Sequence, residues 1–232
     1  MRFGVVVFPG SNCDRDVAYV TQDILGQPTR LIWHQETEIS DIDVIILPGG
    51  FSYGDYLRCG AIAQFSPIMK AVQHHAQQGK WVLGICNGFQ ILTEVGLLPG
   101  ALIRNRELHF ICDRALVRVE NCHLSWTQNY PEQGVITLPI AHGEGRYFAE
   151  ADTLTQLETN GQILFRYCNP QGEITDESNP NGSLKNIAGI TNESGNVLGM
   201  MPHPERASDQ LLGLTDGLPL FQSLMTQQLG VS

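Results

Sequence analysis

Positive charge is scarce in this chain. Fourteen Lys and Arg stand against 24 Asp and Glu, a formal net charge of −10. That leaves little material for the basic stripe with which proteins hold a nucleic-acid backbone. Long apolar runs are also missing. The N-terminal stretch from Phe3 to Pro9 is too short for a signal-peptide core or a membrane-crossing helix. Six cysteines (13, 59, 86, 112, 122 and 168) are dispersed, with neither CxxC pairs nor the clustered Cys and His spacing of a zinc site. Free thiols in a reducing, cytoplasmic setting are therefore expected. No G-x-x-x-x-G-K-[ST] phosphate loop, internal repeat or low-complexity tract is visible. The expectation is no metal, no cofactor held by this chain, no nucleic acid and no membrane.

What is present is a globular composition, 42% hydrophobic and 16% charged over 232 residues, enough for one sizeable core and read as a single domain over 1–232. Short β-branched runs alternate with longer amphipathic segments. Residues 2–8 read as a buried strand stopped by Pro9-Gly10, and 13–25 as a helix with Asn12 as its cap and Gly26 as its stop. Strands follow at 30–34 and 43–47. A helical stretch then runs to 78, broken near Pro67 and closed by Gly79. Residues 80–85 are a fourth apolar strand, leading into a helix over 87–95. This alternation predicts an α/β fold with a central, mostly parallel sheet and helices on both faces. Ligands then collect at the carboxyl ends of the strands.

Beyond residue 100 the pattern changes to short strands at 114–120 and 135–141, an antiparallel elaboration. Further strands are expected at 162–168, 186–191 and 197–201, a polar surface loop at 175–183 and a final helix at 218–229.

Three loops at strand ends carry chemistry. Gly84-Ile85-Cys86-Asn87-Gly88 is a G-x-C-x-G between an apolar strand and a helix, a nucleophile elbow with sulfur in place of the hydroxyl. The tight turn pushes the thiol outward, and the helix N-terminus favours thiolate. A thiol nucleophile needs a base, and the base needs a group to hold its tautomer. His203-Pro204-Glu205 follows a later apolar strand. The proline biases His203 to an extended backbone, and residues i and i+2 of an extended segment share a face. Pro48-Gly49-Gly50-Phe51 ends the third strand, where glycines can turn backbone N–H groups toward a developing oxyanion.

In the order Gly-Gly, Cys elbow, His-Pro-Glu, these motifs resemble the class I (triad-type) glutamine amidotransferases. The resemblance implies a flavodoxin-like fold and Cys86, His203 and Glu205 as the catalytic triad. It also implies an oxyanion hole from Gly50 or Phe51 with the amide of Asn87, and a glutamine site involving Gly49 and Gln90. Phe8-Pro9-Gly10-Ser11-Asn12-Cys13-Asp14, the stretch from Gly50 through Tyr53-Gly54-Asp55 to Gly60, Cys86-Asn87-Gly88-Phe89-Gln90, and Pro139-Ile140-Ala141-His142-Gly143-Glu144-Gly145 narrow it. They are similar to the branch that forms glutaminase subunits of phosphoribosylformylglycinamidine synthase in purine biosynthesis. That branch implies a large synthetase subunit, where ATP and magnesium reside, and a small bridging subunit. The alternative is a stand-alone Cys-elbow hydrolase or peptidase of similar fold.

Other residues compete with these. Cys13 and Cys59 are rival thiols, but the glycine required two residues from Cys13 is missing. His142 and Glu144 form a second His-x-Glu. Arg58 is a candidate for a partner carboxylate or a solvated side chain, and His74-His75 reads as a solvated helix end.

Overall fold

The computed structural model describes residues 1–226. Eleven strands follow in chain order: β1 (Phe3–Val7), β2 (Thr29–Trp33), β3 (Val44–Leu47), β4 (Trp81–Ile85), β5 (Ala101–Ile103), β6 (Ile111–Val119), β7 (Val135–His142), β8 (Arg146–Phe148), β9 (Ile163–Tyr167), β10 (Ile187–Thr191) and β11 (Val197–Met200). Nine of them form one sheet in the order β2-β1-β3-β4-β11-β10-β9-β6-β7. The first five in that order are parallel. Their near-continuous apolar sequences are explained by coverage on both faces; every residue of β3, for example, is buried. The remaining ladders are antiparallel, so the expected elaboration continues the same sheet. A separate two-stranded ladder joins β5 to β8.

Five helices accompany these strands: α1 (Asp14–Ala18), α2 (Pro67–Gln77), α3 (Asn87–Glu94), α4 (Ala151–Thr159) and α5 (Leu218–Thr226). α1 continues as a wider π-turn over Tyr19–Ile24, and Cys13 rather than Asn12 occupies its cap position. Pro67 does not interrupt a helix; it starts α2, where its missing N–H costs nothing. The buried face of α2 includes His75 at 3% exposure, which corrects the expectation of a solvated His pair. The 175–183 loop is likewise not purely superficial. Asn179, Asn181 and Ser183 are buried, and the Asn181 amide donates to the Gly145 carbonyl at 2.8 Å. Of the expected final helix, residues 227–229 lie outside the described residues.

A single apolar cluster runs through the chain from Phe3 to Leu224. Among the described residues no helix is long and apolar enough to cross a membrane. The site depends on one feature of this sheet. β4 and β11 are parallel neighbours in register from Val82↔Val197 to Ile85↔Met200, so the segments that follow them leave from the same edge.

Candidate active site

Cys86 is the single residue between β4 and α3, with φ 51° and ψ −104°. A positive φ is strained for a side chain with a Cβ and costs on the order of 1–3 kcal/mol, met here by packing on every side. The flanking glycines make that packing possible. A Cβ on Gly88 would run into the Leu47 carbonyl, and one on Gly84 would lie 2.7 Å from the carbonyl of Gly88. The Cys86 N–H donates to the Met200 carbonyl at 2.7 Å, which ties the elbow to the end of β11. Its thiol, 5% exposed, faces the Ala141 carbonyl at 3.6 Å.

His203 follows β11 by three residues, with φ −102° and ψ 88°, the extended backbone that a following proline imposes. Glu205 is not on an extended segment. It lies in a 3-10 turn, Pro204–Ala207, which His203 caps. The pairing survives because the turn is tight: Nδ1 lies 2.6 Å from Glu205 Oε1. Both residues are 1% exposed. Burial alone would lower the His203 pKa, but the Glu205 carboxylate and the Cys86 sulfur outweigh it and hold the imidazole well above its ordinary value. The main-chain N–H of His203 donates to the Pro139 carbonyl on β7 at 2.8 Å. Its Nε2, and Oε2 of Glu205, are buried without a partner.

The glycine loop after β3 is stitched to the loop after β1. The Gly49 carbonyl accepts from Cys13 N–H at 3.1 Å, and Phe51 N–H donates to the Gly10 carbonyl at 2.9 Å. In this arrangement the Phe51 amide is engaged by the Gly10 carbonyl. Gly50 has φ +150°, and a Cβ there would lie 2.8 Å from Asn12 N. Gly49 packs flat against His203: a Cβ there would stand 2.7 Å from His203 Cε1. Asn87 begins α3, so its N–H is one of those without an intrahelical acceptor. The Asn87 side chain bridges to both neighbours, accepting from Ser52 N–H at 3.2 Å and donating to Gln90 Oε1 at 2.9 Å. Gln90 Nε2 donates to the Glu144 carbonyl at 2.6 Å, so this amide is engaged with the protein at both ends.

Cys86, His203 and Gly50 line a common cavity of about 110 Å³, together with Cys13, Phe110 and Arg206. The rings of Phe51 and Phe110, 6.4 Å apart and about half exposed, stand over it. Phe110 is a site feature that the sequence pattern missed, and Ala141 stands in the 139–145 stretch with no role given there to its carbonyl; both come from the antiparallel half. Arg206 adjoins the His-Pro-Glu motif and could have been suspected on that ground. A larger hollow of about 600 Å³, lined by Asp113, Arg114, Cys168 and Glu177 among others, contains no imidazole and is lined by neither Cys86, His203 nor Glu205.

The competing candidates separate clearly. Burial and the Asp55 carboxylate push the Cys59 thiol far up, away from nucleophilic behaviour. His142 is buried with Nδ1 3.1 Å from Asn105 Oδ1, and burial, helped by His203, pushes its pKa down to about 4. Arg58 makes a two-pronged pair with Glu94 of its own chain, both contacts at 2.6 Å.

Residues 1–213 match the family described as the CobB/CobQ-like glutamine amidotransferase domain. The chain is 72% identical over 225 residues to phosphoribosylformylglycinamidine synthase subunit PurQ of Acaryochloris marina, covering 97% of this chain and 96% of that protein. It is 73% identical over 221 residues to the same subunit of Synechocystis, covering 95% and 99%. Among solved structures, a chain of PurLQS from Thermotoga maritima superposes with a TM-score of 0.86 at 44% identity, covering 98% of each. With the elbow, the imidazole–carboxylate pair and the glycine loop at one sheet edge, these likenesses agree: the chain belongs to the glutamine amidotransferases, in the family of PurQ glutaminase subunits of phosphoribosylformylglycinamidine synthase.

Proposed function

We propose that this chain releases ammonia from glutamine through a Cys86–His203–Glu205 triad and passes it to a partner synthetase. The observation that carries this reading is the His203 imidazole. Its Nδ1 is held by Glu205 at 2.6 Å, while its Nε2 is buried and open beside the cavity that Cys86 lines. Cys86 yields its proton to Nε2, and the thiolate attacks the side-chain amide carbon of glutamine. The oxyanion rests on the Asn87 N–H and on an amide of the Gly50–Phe51 segment. His203 then protonates the leaving nitrogen, the C–N bond breaks, and a γ-glutamyl thioester remains. Water, losing a proton to His203, cleaves the thioester to glutamate and free Cys86. Gly49 and Gln90 shape the glutamine pocket, Gln90 by holding the Glu144 carbonyl in place.

The Thermotoga maritima relative was solved as PurLQS. By that likeness, the ammonia goes to a large synthetase subunit bridged by a small third subunit. That synthetase uses ATP and magnesium to convert formylglycinamide ribonucleotide to the amidine, in the cytoplasm. Six free cysteines among the described residues accord with a reducing compartment.

Docking is proposed to switch the chain on. The Phe51 amide is bonded to Gly10, and the 110 Å³ cavity is small beside the roughly 300–1,000 Å³ of ordinary ligand pockets. Turning the Gly50–Phe51 peptide breaks one hydrogen bond, a net cost of about 0.5–1.5 kcal/mol, well within reach of a protein–protein contact. The test is Cys86→Ala in the assembled synthase. Glutamine-driven amidine formation is expected to vanish while added ammonium still supports it; loss of both, or retention of both, overturns the reading.

A further inference from the structure

Cys13 has no part in this chemistry, yet it is 1% exposed at the edge of the catalytic cavity. Its sulfur meets two other donors there. Atoms of Cys13, His203 and Glu205 lie within 4.8 Å of one another, and all three residues are buried. Sulfur, imidazole nitrogen and carboxylate oxygen are the donors zinc takes. Tetrahedral bonds of about 2.0–2.3 Å set neighbouring ligands roughly 3.3–3.6 Å apart, so the widest separation must close by about an ångström while Nδ1 and Oε1, 2.6 Å apart, open to admit the metal. Sequence spacing cannot reveal it, because position 13 is remote from 203 and 205 along the chain.

We propose that Cys13, His203 and Glu205 form a reversible inhibitory site for zinc or a similar thiophilic divalent cation, with the metal entering between Nδ1 and the carboxylate. The inhibition rests on the reading of His203 as the base; the binding does not. The Arg206 guanidinium donates to the Cys13 sulfur at 3.0 Å, a contact that leaves the sulfur a further lone pair for a metal. Arg206 is itself paired with Asp16 at 3.4 Å. Asp14, Asp16 and Glu205 together set three carboxylates against Arg206 and the exposed Arg15, so the surroundings accept a dication.

Binding breaks the Cys13 S–H bond and displaces the Nδ1 proton while bonds from the metal to sulfur, nitrogen and oxygen form. One proton leaves to solvent and the other moves to Nε2. An imidazole protonated at Nε2 has no lone pair with which to take the proton of Cys86. Inhibition therefore needs no bond between the metal and Cys86.

The test uses zinc itself. Its affinity for the full chain is measured by competition with a chromogenic chelator, for wild type, Cys13→Ser, Cys13→Ala, Cys86→Ser and Cys112→Ser. The zinc concentration that halves glutaminase activity is measured in the assembled synthase. One zinc per chain is expected. Either Cys13 variant should weaken it at least as much as loss of an outer-sphere partner does elsewhere, roughly 10–100-fold, and raise the inhibitory concentration in proportion. Cys86→Ser and Cys112→Ser should bind as wild type, and a chelator should restore activity. Unchanged affinity in the Cys13 variants, or zinc lost from Cys86→Ser instead, overturns the site. Absent glutaminase activity in zinc-free wild type would instead sink the proposed function, since the chelator measurement does not depend on turnover.

Discussion

Replacing Glu205 by glutamine keeps the shape of the site and removes one charge. In the native arrangement His203 Nδ1 lies 2.6 Å from a carboxylate oxygen, with side-chain exposures of 2% and 0%. Bonds to ionised acceptors are roughly twice as strong as neutral ones, and a carboxylate can only accept. The proton is thereby kept on Nδ1 and the lone pair on Nε2. A glutamine can present either its carbonyl or its NH₂ group. Because Oε2 of Glu205 has no partner, no neighbour dictates which end would face the imidazole. With NH₂ inward, the tautomer inverts and Nε2 carries a proton toward Cys86. With the carbonyl inward, the imidazolium formed during turnover loses its countercharge. The corresponding change in Ser-His-Asp enzymes costs about 10⁴ in kcat, or about 5.4 kcal/mol of barrier. Glu205→Gln is therefore expected to lower glutamine-driven kcat by about 10³–10⁴, with KM nearly unchanged and ammonium-driven turnover intact. The assay is amidine formation by the assembled complex with each nitrogen source. A kcat loss under about tenfold (a fraction of the loss just given) would refute the role given to the carboxylate. So would an equal loss with ammonium, which would mean that the substitution damages the assembly.

Two further outcomes follow from buried groups. His75 and His142 each have pKa values pushed down to about 4, chiefly by burial, so the unfolded chain binds protons that the folded chain refuses. Their stabilising effect is complete above the ordinary value near 6.5 and is lost as pH falls toward 4, at most on the order of 3 kcal/mol for each. Denaturant titrations over that range should show the loss, and His142→Gln should flatten the slope; an unchanged slope contradicts the assignment. Gly50→Ala puts a Cβ 2.8 Å from Asn12 N and Ser11 Cα at φ +150°. It should cost roughly 1–3 kcal/mol of stability and more activity than stability, because the same peptide carries the proposed switch. Native-like glutaminase turnover by this variant would argue against that switch.

Much of this was legible in the sequence for identifiable reasons. β1, β3 and β4 announce themselves because strands covered on both faces are apolar without interruption, and the Cys86 elbow is visible because Gly84 and Gly88 are sterically required. α4 was not read, since only Leu157 of its residues is fully buried and its apolar periodicity is faint. His75 reads as solvated from sequence because exposed His74 and the flanking glutamines mask the helical phase that sets it on the face with Ile68, Met69 and Val72. The orientation of the Phe51 amide is a matter of backbone dihedrals that glycine leaves open, so no residue type encodes it. Asn181 and Ser183 became buried through bonds to the Gly145 segment, a tertiary effect beyond local pattern.

The bond from Cys86 N–H to the Met200 carbonyl has a practical corollary for anyone purifying the enzyme. Cys86 and His203, the proposed nucleophile and base, are delivered by two strands locked in one register, and a slip by a single position would swing a side chain to the opposite side of the sheet. Active-site titration of the assembled complex with a thiol-directed glutamine analogue would count the molecules in which the two side chains meet.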